Sequence, residues 1–185
     1  MLTIRAAAGH AAAIRAVDEL LSRQRIEHLF LGNVARAAWL GGAVDSGSID
    51  VLGLMHAEQK NNVAMMAGNR GFRVDREEIE RTAELDLVPL AFHDVRVHVL
   101  VASNALYARM FAGANVGRVL NPSGGGRVEN PSHIEIRVPS AEDLALLLTM
   151  SEDDDAVRQI AGQPEFDRAM YNEKLISIGL ARYTA

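Results

Sequence analysis

Asp50 stands two residues after Ser48 in the run Ser48-Ile49-Asp50-Val51-Leu52, downstream of a short apolar stretch that meets Gly32-Asn33. Residues two apart on a strand project from the same face, so Ser48 and Asp50 would share one side of it. A glycine turn opening a short helix is a favourable place for a phosphate. A carboxylate on a nearby strand is a hard oxygen ligand for a divalent cation. The layout is therefore that of a phosphate-binding turn, Gly32 and Asn33, facing a strand with Asp50 as its acid and Ser48 as a neighbouring hydroxyl. Each residue also has a plainer role open to it. Gly and Asn both tolerate positive φ, which a simple strand-to-helix turn needs. Asp50 would then be a strand-end acid and Ser48 a satisfied polar side chain.

A third candidate is His98, in Val95-Arg96-Val97-His98-Val99-Leu100-Val101. Strict alternation puts the four valines on one face and Arg96, His98 and Leu100 on the other. His98 is either a half-buried strand histidine or a metal ligand. Other polar features carry less. The acidic run Glu152 to Asp155 lacks the turn glycine and terminal glutamate of a calcium loop, so it reads as a solvated helix start. Gly124-Gly125-Gly126 has no following Lys-Ser or Lys-Thr and is not a P-loop. Gly41-Gly42 is loop punctuation, and Trp39, the only tryptophan, reads as core.

The elements that must position these residues follow from periodicity. Met1 to Ile26 places apolar residues at helical spacing and reads as one helix. Leu29 to Leu31 is a short strand, Val34 to Trp39 a small-residue helix, and Ser48 to Leu54 a strand. Val63 to Asn69 reads as a helix closed at Gly68 or Gly71. Phe72 to Val74 is extended, and Glu77 to Glu84 is charged, helix or loop. Strands follow around Leu85 to Leu90, Val95 to Val101 and His133 to Val138, with a helix at Ala105 to Ala112 and a loop from Val116 to Pro131. Ser140, followed by Glu142 and Asp143, caps a helix over Leu144 to Met150. Further helices cover Glu152 to Ile160 and Asp167 to Ile178, the last closed by Gly179. About five strands interleaved with helices make an α/β layer, followed by a helical C-terminus.

The totals narrow the function classes. The chain has 185 residues, enough for one domain with its own core. It has no cysteine, which excludes disulfides, thiolate zinc sites and cysteine nucleophiles. A net charge of −5 gives no support to broad nucleic-acid binding. No apolar run approaches the length of a membrane span, and Met1 to Ala16 lacks the unbroken apolar core of a signal peptide. A cytoplasmic location is the expectation.

The order of parts resembles the nucleotidyltransferase superfamily, near its small bacterial AbiEii-like and minimal members. Leu31-Gly32-Asn33-Val34-Ala35 stands at the family's glycine turn, and Ser48-Ile49-Asp50-Val51-Leu52 at its Asp-x-Asp strand. Gly71-Phe72 stands at a helix end and Val97-His98-Val99-Leu100 at the strand of the third carboxylate. Arg137-Val138-Pro139-Ser140-Ala141-Glu142-Asp143-Leu144 stands at a helix start. The chain departs from the pattern at Asn33 for the second glycine, Ser48 for the first aspartate and His98 for the third carboxylate. Thr149 lies about where the family often has a lysine.

The resemblance implies an α/β fold, a mixed sheet flanked by helices, with residues 1–140 as the core and 141–185 as a helical segment packed on it in one unit. It implies a nucleoside triphosphate with Mg²⁺ or Mn²⁺ as cofactor. Asp50 is the catalytic acid, Gly32, Asn33 and Ser48 bind the nucleotide, and Asp50 and His98 hold metal. Because Ser48 and His98 fill two of three carboxylate positions, the expected protein is catalytically impaired and kept for binding a nucleotide or a protein partner, or a second copy of itself. The alternative is an active metal-dependent transferase acting on a hydroxyl or a protein side chain, with Asp45 moving in as a substitute ligand. A toxin–antitoxin role would follow from family analogy only.

Overall fold

A computed structural model describes residues 1–82, 84–120 and 133–184. Strands β1 (Leu2–Ala6), β2 (Glu27–Phe30), β3 (Ala43–Val44), β4 (Ile49–Leu54), β5 (Phe72–Arg73), β6 (Leu87–Phe92), β7 (Val95–Val101), β8 (Asn115–Leu120) and β9 (Ile134–Val138) alternate with helices. The helices are α1 (Ala8–Arg23), α2 (Gly32–Leu40), α3 (Lys60–Gly68), α4 (Arg76–Arg81), α5 (Ala105–Met110), α6 (Ala141–Met150), α7 (Asp154–Ala161) and α8 (Arg168–Ser177). The strands form two mixed sheets, ordered β3-β1-β8-β9 and β2-β4-β7-β6-β5. An ion pair between Arg137 on β9 and Glu27 on β2 ties one sheet to the other.

The α/β class expected from the sequence is present, but the strands are more numerous and divided differently. Met1 to Ile26 is not one helix. Thr3 and Arg5 are exposed while Ile4 and Ala6 are fully buried, a period of two that belongs to β1, and the helix starts only after Ala7. The apolar positions of β1 fit a helical stripe in isolation, but pairing with β8 decides the outcome. Asn115–Leu120 is likewise a strand rather than loop, with Gly117 and Val119 inward and Val116 and Arg118 outward. Within Glu77 to Glu84, the residues up to Arg81 belong to α4, capped by Asp75, whose side chain accepts the Glu78 N–H. Gly124 to Gly126 lies outside the described residues.

The five-stranded sheet positions the candidate site. β4 and β7 are its parallel centre, with Ile49, Val51, Val97 and Val99 fully buried on one face beneath α1 and α3. The opposite face carries Asp50 and His98 as register partners, then Leu52 and Leu100. Leu52 joins Leu29, Leu31, Met110 and Phe111 in a second, smaller apolar cluster below them. A side chain of this size contributes about 1.5–3 kcal/mol when fully buried. The polar pair therefore stands on an apolar floor that fixes the register of its strands.

α6 to α8 pack against this core through α2. Trp39 is buried, and its Nε1–H donates to the Pro139 carbonyl at 3.0 Å, just before the Ser140 cap of α6. Arg36 donates to Asp153, the cap of α7, at 2.5 Å. Lys174 on α8 reaches the buried Asp143 on α6 at 2.5 Å. Thr149 donates to the Ala145 carbonyl and meets the Tyr171 hydroxyl at 2.5 Å, so it links α6 to α8.

Candidate functional site

Three segments build the site: the start of α2, the end of the loop that leads into β4, and the middle of β7. Gly32 takes φ +51, and no side chain caps the helix it opens. The Leu31 N–H donates to the Asp50 carbonyl at 2.8 Å, which pins the turn to β4. A Cβ at Gly32 would lie 2.5 Å from Asp50 Oδ2. Glycine is thus required twice over, by its left-handed backbone and by the close approach of a carboxylate.

Asp50 is the hub. Its Oδ1 accepts from the Ser48 hydroxyl at 2.9 Å and from His98 Nδ1 at 2.9 Å. A carboxylate only accepts, so His98 carries its proton on Nδ1 toward Asp50 and presents Nε2 away from it. Among the described residues Nε2 has no hydrogen-bond partner. The side chains of His98 and Asp50 are 31% and 29% exposed, so the pair is open to a ligand. Burial pushes the Asp50 carboxyl up, but hydrogen bonds from His98 and Ser48 and electrostatic attraction to the His98 ring outweigh it. The group is held below the ordinary carboxylate value.

The sequence candidates divide in two. Gly32, Ser48, Asp50 and His98 do come together. Asn33 sits beside them but its amide is spent on structure, donating to the Ser46 carbonyl at 3.4 Å and packing under Gly47, which has φ +78. Asp45 is exposed on the loop and makes no hydrogen bond or ion pair with the others among the described residues. Among those residues no group of three or more His, Asp or Glu side chains is placed to hold a metal ion.

The donor set explains why. A magnesium ion seeks several oxygen ligands in near-octahedral array. Here one carboxylate is offered, and its Oδ1 already takes two donors. Ser48 supplies a neutral hydroxyl turned toward that same oxygen. The residues do not fit a two-metal carboxylate clamp. An imidazole nitrogen suits a softer ion, such as manganese or zinc, better than magnesium, but His98 Nε2 faces away from Asp50, so the two do not converge on one ion here.

Two residues near the site escaped sequence reasoning. His10, on the first turn of α1, places Nε2 3.4 Å from the Gly47 carbonyl. Arg36 lies one turn along α2 from Gly32 and lines a cleft of about 360 Å³ with Asn33, Gly41, Gly42, Ser46 and Gln159. The signal for Arg36 was present: it is the lone charge in a helix of small and apolar residues.

No protein-family model matches the sequence, and no curated protein does. Solved structures of ANT(2'')-Ia are among those similar in fold. A crystal structure of ANT(2'')-Ia in complex with adenylyl-2''-tobramycin matches at a TM-score of 0.50 and 11% identity, covering 91% of this chain and 95% of that one. A solution structure of the antibiotic-resistance factor ANT(2'')-Ia matches at a TM-score of 0.51 and 13% identity, covering 91% of this chain and 88% of that one. At such identity the likeness shows the fold alone, and that fold is the nucleotidyltransferase fold.

Proposed function

We propose that this nucleotidyltransferase-fold protein binds a nucleotide without efficient two-metal nucleotidyl transfer. One observation carries the reading: Ser48 and His98 both donate to the carboxylate of Asp50, where the family pattern has further carboxylates. Nucleotidyl transfer rests on positioning and on neutralising charge at the phosphates. Two ions clamped by carboxylates supply most of that charge. A single, already satisfied carboxylate does not hold them. The motif order supports a place near the AbiEii-like and minimal nucleotidyltransferases. A protein partner or second copy remains the other occupant consistent with a binding role.

Thermal unfolding against a panel of nucleoside triphosphates, with and without Mg²⁺ or Mn²⁺, tests this. A ligand at ~100 times its Kd adds ~2.7 kcal/mol of stability. The expected result is a shift with a nucleotide and no pyrophosphate release above background. Rapid, metal-dependent pyrophosphate release that vanishes in Asp50→Ala would overturn it.

That overturning result would favour the enzyme reading, and one observation supports it. Asp50 holds His98 with Nε2 outward, the arrangement in which an imidazole takes a proton from a hydroxyl. In that case the acceptor oxygen would attack the α-phosphorus, pyrophosphate would leave, and the hydroxyl proton would pass to Nε2.

A further inference from the structure

We propose that the cleft beside α2 is a phosphate-chain subsite in which Arg36, rather than a metal ion, meets the negative charge. The inference rests on the nucleotide-binding reading and names the part of the ligand that the cleft takes. It uses a wall that lies apart from the Asp50 cluster, the glycine pair Gly41-Gly42.

The cleft runs along α2. At one end Asn33 and Ser46 border the Asp50 cluster; at the other, Gly41 and Gly42 form the wall. Its volume of about 360 Å³ suits a short polyanion rather than a whole nucleotide. Gly41 and Gly42 take φ +78 and +93, and a Cβ on either would meet nothing within 4 Å. Their left-handed backbone accounts for glycine at both positions, with no crowding to relieve. Both leave the backbone bare on a wall that a ligand can approach closely.

Arg36 is the cation of this cleft. Its side chain is 43% exposed and, among the described residues, makes one hydrogen-bonded ion pair, from one terminal nitrogen to Asp153 Oδ2 at 2.5 Å. A guanidinium carries five N–H donors in a fixed fork, so several stay available to phosphate oxygens. Asp153 cannot swing away freely, because its Oδ1 also accepts the Ala156 N–H and caps α7. The cap therefore holds Arg36 in place at the cleft. Gln159, from the same helix, adds a neutral amide to the lining. Charge-assisted bonds to phosphate are stronger than neutral ones and keep their geometry without an ion.

The test measures binding of inorganic tripolyphosphate and of ATP in EDTA by calorimetry, for the wild type, Arg36→Gln, Arg36→Lys and Ala43→Glu. Ala43 lines the cleft and is exposed, so a glutamate there adds repulsion without touching the core. Urea unfolding of each variant confirms that it is folded at the assay temperature. The expected result is metal-free binding of both ligands, weakened roughly 10- to 100-fold in Arg36→Gln and Ala43→Glu and less in Arg36→Lys. Binding of ATP that needs Mg²⁺ and ignores Arg36 and Ala43 overturns the cleft and leaves the nucleotide reading standing. Equal binding of ATP and tripolyphosphate supports the cleft and overturns recognition of a nucleoside. Absence of binding by either ligand, with and without metal, overturns both.

Discussion

Replacing Gly32 by alanine isolates the contact that organises the site. Gly32 has φ +51, and left-handed backbone costs a non-glycine residue about 1–2 kcal/mol. The added Cβ would also stand 2.5 Å from Asp50 Oδ2. That is roughly 1 Å inside a comfortable non-bonded separation of about 3.5 Å. The carboxylate must move, and its bonds to Ser48 and His98, both 2.9 Å, lengthen with it. Such bonds contribute about 1.5–3 kcal/mol each when shielded, but this pair is partly exposed, so about 1–2 kcal/mol is at risk in all. The sum for Gly32→Ala is about 2–4 kcal/mol. Gly71→Ala supplies the control: φ is +81, and nothing lies within 4 Å of its Cβ. It should cost only the backbone strain. Urea unfolding at a common m-value compares the two, and the excess for Gly32→Ala should disappear in an Asp50→Ala background. Equal costs for the two glycines, or an excess that survives loss of the carboxylate, would refute the reasoning.

Three further outcomes follow from the same contacts. The depressed Asp50 carboxyl contributes stability that is present above the ordinary unfolded carboxylate value, about 4, and lost as pH falls through the lower folded value. The stability gap between wild type and Asp50→Asn should therefore narrow below about pH 4, and a constant gap from neutral to acid pH would contradict the assignment. Lys174→Met removes the cation paired with Asp143, whose side chain is only 3% exposed, and should cost about 3 kcal/mol in urea unfolding. Much of that should return in Asp143→Asn with Lys174→Met, since the unpaired buried charge is gone. His98→Asp sets a second carboxylate across from Asp50, so it should destabilise the protein in EDTA and regain stability with Mn²⁺; indifference to the ion would show that the two side chains do not face one another.

How much of this could be read from the chain depends on where each decision is taken. Strands β4 and β7 were legible because alternation in Val95 to Val101 and the apolar run after Ser48 are local. The cap at Ser140 was legible for the same reason, and its hydroxyl accepts the Asp143 N–H. β1 was not, since its short alternation merges into the apolar stripe of α1 and only β8 fixes it. The division into two sheets was hidden too, because pairing partners lie far apart in sequence, as with Leu2 and Gly117. Gly32, Ser48, Asp50 and His98 could be singled out by residue type and order. Their hydrogen bonds could not, nor could the diversion of Asn33 to the Ser46 carbonyl. Arg36 could be singled out as the lone charge of α2, but not its bond to Asp153, which lies 117 residues away in sequence.

The departures at Ser48 and His98 make sense as a coupled pair. Three carboxylates converging on one another repel unless cations lie between them. Such a site needs its ions for stability as well as for chemistry. Replacing two acceptors by two donors reverses that dependence. Ser48 and His98 satisfy Asp50 directly, so its charge has partners without an ion. Either change alone would have left Asp50 facing a carboxylate on one side. Gly32 keeps its left-handed turn against the carboxylate, which leaves no room for a side chain at the start of α2. A site so arranged accords with the proposed binding role, and Arg36, one turn further along the same helix, lines the cleft beside it.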